Sequence, residues 1–266
     1  MMRILQGTIS YPEVKWGKAE ERAGQNTALV RFVNDIAGVG ADGMELWGRH
    51  LDNLTTGDIQ ALAKAIDRSG QKVEVLGPYW DFSSSDDTVE SSLEDAKRYR
   101  GLCDLFGSRK VRVFVGAPAS DKATEENWTR AKKGLARLAK TYKGSGVTFV
   151  VETHADQLAD TPETCERLMR ELAQAPIMIN YQDMHSGRDE VGMLYKWVRH
   201  VHVSFIRDWG KTVEKTIRDL KAHGYDGTVT VEFCTDSVPP EGVKFERAKA
   251  IAGMKRDIAY IRSLVA

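Results

Sequence analysis

The sequence has no excess charge of either sign: 38 Lys and Arg face 38 Asp and Glu in 266 residues. Without a net basic field, neither nucleic acid nor an anionic membrane is an expected partner. Cysteine is scarce. The three thiols, Cys103, Cys165 and Cys234, stand far apart with no Cys-x-x-Cys spacing, which argues against a disulfide framework and for the reduced thiols of a cytoplasmic protein. No apolar run approaches transmembrane length. The opening residues Met1 to Gly7 turn polar too soon for a signal peptide. There is also no low-complexity stretch and no linker, so the expectation is one domain over residues 1–266. Finally, no Gly-x-Gly-x-x-Gly follows the first strand, which weighs against an open doubly wound sheet.

What the sequence does have is strands with helices between them. Strands are expected at Arg3–Ser10, Gly43–Trp47, Lys72–Leu76, Val111–Gly116, Val147–His154, Pro176–Gln182, Val198–Phe205 and Thr228–Phe233. Helical spacing fills Thr27–Gly38, Thr56–Ser69, Val89–Leu105, Glu125–Tyr142, Thr161–Gln174, Asp189–Trp197, Lys211–His223 and Phe245–Val265, with Tyr11–Asn26 read as a loop. Thr27 is a candidate cap, and Thr161-Pro162-Glu163 reads as a cap and first turn. Strand candidates recurring every 25–40 residues or about that suit βα units with crossover helices. Eight of them predict an α/β fold, a (β/α)8 TIM barrel.

In such a barrel the C-terminal strand ends converge on the active site. Val147–His154 is the informative stretch: alternation puts Val147, Phe149 and Val151 on one face, and Thr148, Val150, Glu152 and His154 on the other. Four of the six histidines, His154, His185, His200 and His202, fall at the ends of strands five to seven. The same parity turns Met178, Asn180 and Gln182 inward on strand six, His200, His202 and Ser204 on strand seven, and Thr228, Thr230 and Glu232 on strand eight. Glu152, Gln182, His202 and Glu232 therefore face one another. Two convergent glutamates repel unless a cation lies between them. A mixed set of carboxylate, imidazole and amide donors suits Mn²⁺ or Mg²⁺ and tolerates Co²⁺ or Zn²⁺. Taken singly, a glutamate at a strand end is more often a cap or an ion-pair partner. His200 reads equally well as a core histidine, and His223 before Gly224 as a helix-end cation.

Six segments together resemble the xylose isomerase-like TIM-barrel superfamily, in its sugar phosphate isomerase/epimerase branch: GADGMELWGRHL, LFGSRKVRVFVG, VTFVVETHAD, INYQDMHS, VRHVHVSF and GTVTVEF. The resemblance covers nearly the whole chain and is not specific for a substrate. It implies metal ligands at Glu152, the end of strand six, His202 and Glu232. Where the family reads Asn-Tyr-Asp-x-x-His, this chain reads Asn180-Tyr181-Gln182-Asp183-Met184-His185. Without a gap Gln182 replaces the ligand aspartate, and parity favours it; a one-residue bulge would bring Asp183 in instead. An amide ligand removes one negative charge.

The resemblance further implies a divalent-metal-dependent isomerase or epimerase of a ketose or keto-polyol, working by proton abstraction and an enediolate. Glu152 and Glu232 would be both ligands and the proton-transferring groups on opposite faces of the substrate. Substrate contacts are expected from Glu45, His185, Arg207 and His154, with Trp47, Tyr79, Trp80 and Trp209 walling the pocket. The partner is then a small sugar or polyol, and the aromatic loops suit a homo-oligomer contact. Competing readings are a dehydratase of a cyclic keto-polyol, a silent sugar-binding barrel (which Gln182 keeps open), and an endonuclease IV-like enzyme, disfavoured because strand three offers no histidine.

Overall fold

A computed structural model describes residues 1–11, 25–52, 54–206, 210–238 and 243–266, without the side chains of residues 25–28. Eight strands close into a barrel in sequence order, from β1 to β8. This is the TIM barrel expected from the strand count. The strands are β1 (Arg3–Gly7), β2 (Gly43–Trp47), β3 (Val73–Gly77), β4 (Lys110–Val113), β5 (Thr148–Glu152), β6 (Ile177–Tyr181), β7 (Val198–Ser204) and β8 (Thr228–Phe233). The helices are α1 (Gln25–Ala37), α2 (Gly48–Leu51), α3 (Thr56–Ser69), α4 (Asp86–Phe106), α5 (Glu125–Thr141), α6 (Pro162–Glu171), α7 (Glu190–Leu194), α8 (Val213–Ala222) and α9 (Arg247–Val265). None of the described helices is long and apolar enough to cross a membrane. Most of the expected loop Tyr11–Asn26 lies outside the described residues.

Side-chain caps set where several helices begin. Thr55 with Asp58, Ser85 with Thr88, Thr124 with Asn127 and Thr161 with Thr164 form reciprocal capping boxes at the starts of α3 to α6. The Ser85 box starts α4 three residues ahead of the expected Val89, because it satisfies backbone donors that the apolar period alone does not register. Pro162 opens α6, as its fixed φ allows. Thr27 lies inside α1, which begins at Gln25 among the described residues. β1 stops at Gly7 because Thr8–Ser10 turns into a 3₁₀ segment. The extra helix α2 follows β2 directly.

The chain divides into two compact units, Met1–Leu76 with His202–Ala266, and Gly77–Val201. In the first, β1 pairs in parallel with β2 and β8, so that Gly7 stands opposite Glu45 and Gln6 opposite Val231. A Cβ on Gly7 would come within 3.2 Å of Thr230 and of the Val231 carbonyl. Leu5, Met44, Leu46, Val229 and Val231 are fully buried. Tyr11 stacks on Phe32 at 3.8 Å between centroids, and its hydroxyl reaches Asp35; burial beside that carboxylate pushes the phenol pKa up. In the second unit β4, β5, β6 and β7 pair in order, placing Glu152 level with Asn180 and Asn180 level with His200. The pairing steps from Ile179–Val198 to Asn180–His200. β7 therefore carries one extra residue, Arg199, at a bulge.

Helix α9 sits hard against the segment that follows β8. A Cβ on Gly253 would stand 1.9 Å from the Thr235 carbonyl oxygen. Thr235 in turn gives its N–H and its hydroxyl to the buried Asp257 carboxylate at 2.6 and 2.9 Å. Burial pushes the Asp257 carboxyl above its ordinary range. Alanine at residue 253 gains helix propensity but displaces α9 from its backbone contact. Gly253→Ala is therefore expected to destabilise the fold by about 1–3 kcal/mol in urea unfolding. A variant as stable as the parent would show that the contact is not limiting.

Candidate functional site

The first unit carries Glu45, His202 and Glu232 at the ends of β2, β7 and β8. His202 Nε2 lies 3.0 and 3.2 Å from the two Glu45 carboxylate oxygens, both side chains being almost wholly buried. A carboxylate only accepts, so in the neutral ring the proton sits on Nε2 and the lone pair on Nδ1. Ligand-type atoms of His202 and Glu232 lie within 4.8 Å of each other. Glu232 is half-buried. Gly7, opposite Glu45, keeps the wall between β2 and β8 free of a side chain.

His50, in α2, belongs to the same unit and is fully buried. Its Nδ1 lies 2.8 Å from the Thr8 hydroxyl, which also receives the Trp47 N–H. The Trp47 ring stands edge-on to it at 5.2 Å. Burial drives the imidazole pKa down to about 3, so His50 and Trp47 form a neutral, packed pair.

The second unit carries Glu152, whose carboxylate meets Arg112 of β4 at 3.0 Å, each side chain 3% exposed. Arg112 also donates to the Pro78 and Gly77 carbonyls, and its guanidinium lies 4.9 and 4.6 Å from the Tyr79 and Phe114 ring centres. This cage was not anticipated from the sequence, although alternation between Val111 and Val113 puts Arg112 on the same inward face as Glu152. Thr153 and Gln182 bind reciprocally: the Thr153 hydroxyl donates to the Gln182 carbonyl at 2.6 Å and accepts its N–H at 2.8 Å. The Gln182 Oε1 is buried with no hydrogen-bond donor among the described residues, and the Asn180 amide is buried with neither an acceptor for its Nδ2 nor a donor for its Oδ1 among them. An acceptor placed like this suits a ligand that brings the missing charge or donor.

The other expected residues are distributed as follows. β5 ends at Glu152, and His154 beyond it is exposed, with Nδ1 2.6 Å from the Ala155 carbonyl and its ring edge-on to Phe114. Asp183 Oδ1 accepts the His185 N–H at 2.8 Å, closing a turn, and the bulge lies at Arg199 on β7, not after Tyr181 on β6. His185 is exposed at a left-handed φ of 55°. Trp80 gives its indole N–H to Asp95 at 2.9 Å and packs on Phe82 and Tyr99, the setting of a core aromatic. Arg207 and Trp209 lie outside the described residues. The three cysteines are buried and unbridged; burial pushes the Cys103 and Cys234 thiols up to about 12.

With this geometry in view, residues 33–264 match the profile of the xylose isomerase-like TIM barrel. The chain belongs to that family. Relatives of this chain include a 3-dehydroshikimate dehydratase of Bacillus anthracis, 25% identical over 185 residues, 66% of this chain and 65% of that protein. An inosose dehydratase of Geobacillus thermodenitrificans is 25% identical over 178 residues, 60% of this chain and 59% of that one. The matches thus span less than two thirds of these relatives' length. Among solved structures, a D-allulose 3-epimerase from Methylomonas sp. superposes with a TM-score of 0.78 at 13% identity, covering 99% of this chain and 98% of that one. That likeness establishes the fold.

Two outcomes are expected from these pairs. Arg112→Met leaves the Glu152 charge buried without its partner and should cost about 3–5 kcal/mol in urea unfolding, with most of the loss recovered when Glu152→Gln is added. No loss in the single variant would show that the pair is not needed. His50 stays neutral in the fold down to about pH 3, whereas an unfolded imidazole takes a proton near its ordinary value of 6.5. Falling pH through that window protonates the unfolded chain alone, so stability is complete above it and declines below. The wild type should lose on the order of 1 kcal/mol more per pH unit than His50→Gln between pH 6 and 4. Parallel curves would contradict the buried neutral assignment.

Proposed function

We propose that the protein is a metal-dependent enzyme that abstracts the proton beside a carbonyl group of a small keto-polyol. The observation that carries this is the Glu45–His202 pair with Glu232 in reach of it, because a histidine braced by a carboxylate on one nitrogen is oriented to use the other. The expected ligands are Glu152, Gln182, His202 and Glu232; of these, His202 and Glu232 bring ligand-type atoms within 4.8 Å of each other in the first unit. Two carboxylates, an imidazole and an amide oxygen fit a hard divalent ion, manganese or magnesium first. When bound, that ion supplies Lewis-acid polarisation of the substrate carbonyl.

The chain's own residues do the rest. Glu232 takes or returns a proton at the carbon beside the carbonyl, and Glu152 is the second proton-transferring group, its charge balanced by Arg112. His185 holds a substrate oxygen, and Arg207 is the candidate for a distal hydroxyl or an anionic group. Trp47 lines the wall behind Glu45. Isomerase or epimerase chemistry returns the proton to carbon; a dehydratase expels water after the same first step. The dehydratase reading has a specific observation in its favour: the curated relatives named above are both dehydratases. Buried, unpaired thiols suit a reducing cytoplasm.

The test is incubation in deuterated water with ketoses, an inosose and 3-dehydroshikimate, with and without chelator and added Mn²⁺. Deuterium is expected at the carbon beside the carbonyl, together with either an epimer or a product lighter by one water. Glu232→Gln should slow exchange by about 10²-fold or more while the melting curve holds. Full activity in that variant, or exchange indifferent to chelation, would refute the assignment.

A further inference from the structure

The segment that follows β6 is held by a side chain with no part in the ligand set. Glu190 opens α7 and is 3% exposed. Its Oε2 accepts the Tyr181 hydroxyl and the Met184 N–H, both at 2.9 Å, and its Oε1 accepts the Ser186 N–H at 2.7 Å. These donors belong to the last residue of β6 and to the two neighbours of His185. His185 itself sits at φ 55°, a backbone state that non-glycine residues keep only where the surroundings impose it. Its own N–H goes to Asp183 Oδ1.

Glu190 is not spent on capping its helix. Asp189 does that, accepting the Gly192 N–H at 2.8 Å. The Glu190 carboxylate instead faces back to the turn. Burial raises its pKa, but the donors of Ser186, Met184 and Tyr181 outweigh that and hold it below the usual carboxylate range. A charged acceptor thus ties strand end, turn and helix start together.

We infer that Glu190 is a positioning residue that fixes the 182–186 turn and so presents His185 to a substrate oxygen. This rests on the proposed function only for what His185 touches; the clamp itself stands on the geometry.

The experiment pairs Glu190→Gln with Tyr181→Phe, which removes a single donor and keeps the carboxylate, in wild-type and His185→Ala backgrounds. Amide hydrogen exchange at Met184 and Ser186 and the His185 ring resonances are followed by NMR. Turnover is followed on whichever keto-polyol exchanges deuterium. Glu190→Gln should speed exchange at both amides by about tenfold or more and shift the His185 resonances. It should lower kcat/KM by about tenfold in the wild-type background and by less than about twofold in His185→Ala, since the two residues act as one unit. Equal losses in both backgrounds would reduce Glu190 to a structural role and overturn the proposal, as would unchanged exchange and resonances. If no keto-polyol turns over, the proposed function fails, and the NMR measurements alone decide the clamp.

Discussion

Charge buried inside a closed barrel must be answered by charge or by hydrogen bonds, because water cannot reach it cheaply. Both units obey this constraint in their own way. In one, the Glu45 carboxylate is set against His202. In the other, Glu152 is set against Arg112, which is itself wrapped by two carbonyls and two aromatic faces. A lone acid at either position would take up a proton or draw in solvent. Paired as they are, both carboxylates are held in place by their partners.

Positioning follows from the same economy of buried polar groups. Where β5 and β6 end, Thr153 and Gln182 satisfy each other's polar groups, and one step later Glu190 gathers the loose donors of the turn. Strand ends that deliver reactive side chains are thereby prevented from fraying. The side-chain atoms left over are the Asn180 amide on β6 and Gln182 Oε1 one residue beyond its end. On the proposed reading they are polar capacity for a bound ligand.

Alternation made the barrel and its inward residues legible: Val, Ile and Phe at every second position leave little doubt which face of β5, β7 or β8 packs on helices. Period-two reading also implied an inward Arg112, but a lone arginine in Val-Arg-Val passes for a solvated edge residue until Glu152 is seen beside it. His154 marks the limit of alternation. It keeps the parity of β5 on paper, yet the strand ends at Glu152 and parity has no meaning past the last ladder bond. The Arg199 bulge is equally invisible to alternation, since one extra residue shifts pairing without changing composition. Trp80, expected to wall the pocket from its place after β3, gives its indole N–H to Asp95 fifteen residues on, a partner that alternation does not register. Contacts of long sequence separation are where the one-dimensional pattern stops informing.

The position that departs from the family pattern, Gln182, gains meaning from Arg112. Replacing a ligand aspartate by an amide removes one negative charge, and the guanidinium on Glu152 offsets another. On the expected ligand set both features lower the negative charge. On the proposed reading, such a site holds a dication less firmly but stabilises an oxyanion more strongly once the dication is there, because less of its field is cancelled by the ligands. The amide is then understood as a shift of charge from holding the ion to holding the negative charge that develops on the substrate. An acidic or readily enolised keto compound gains more from that shift than a neutral sugar does, which is a physical reason for weighing the dehydratase reading alongside epimerisation.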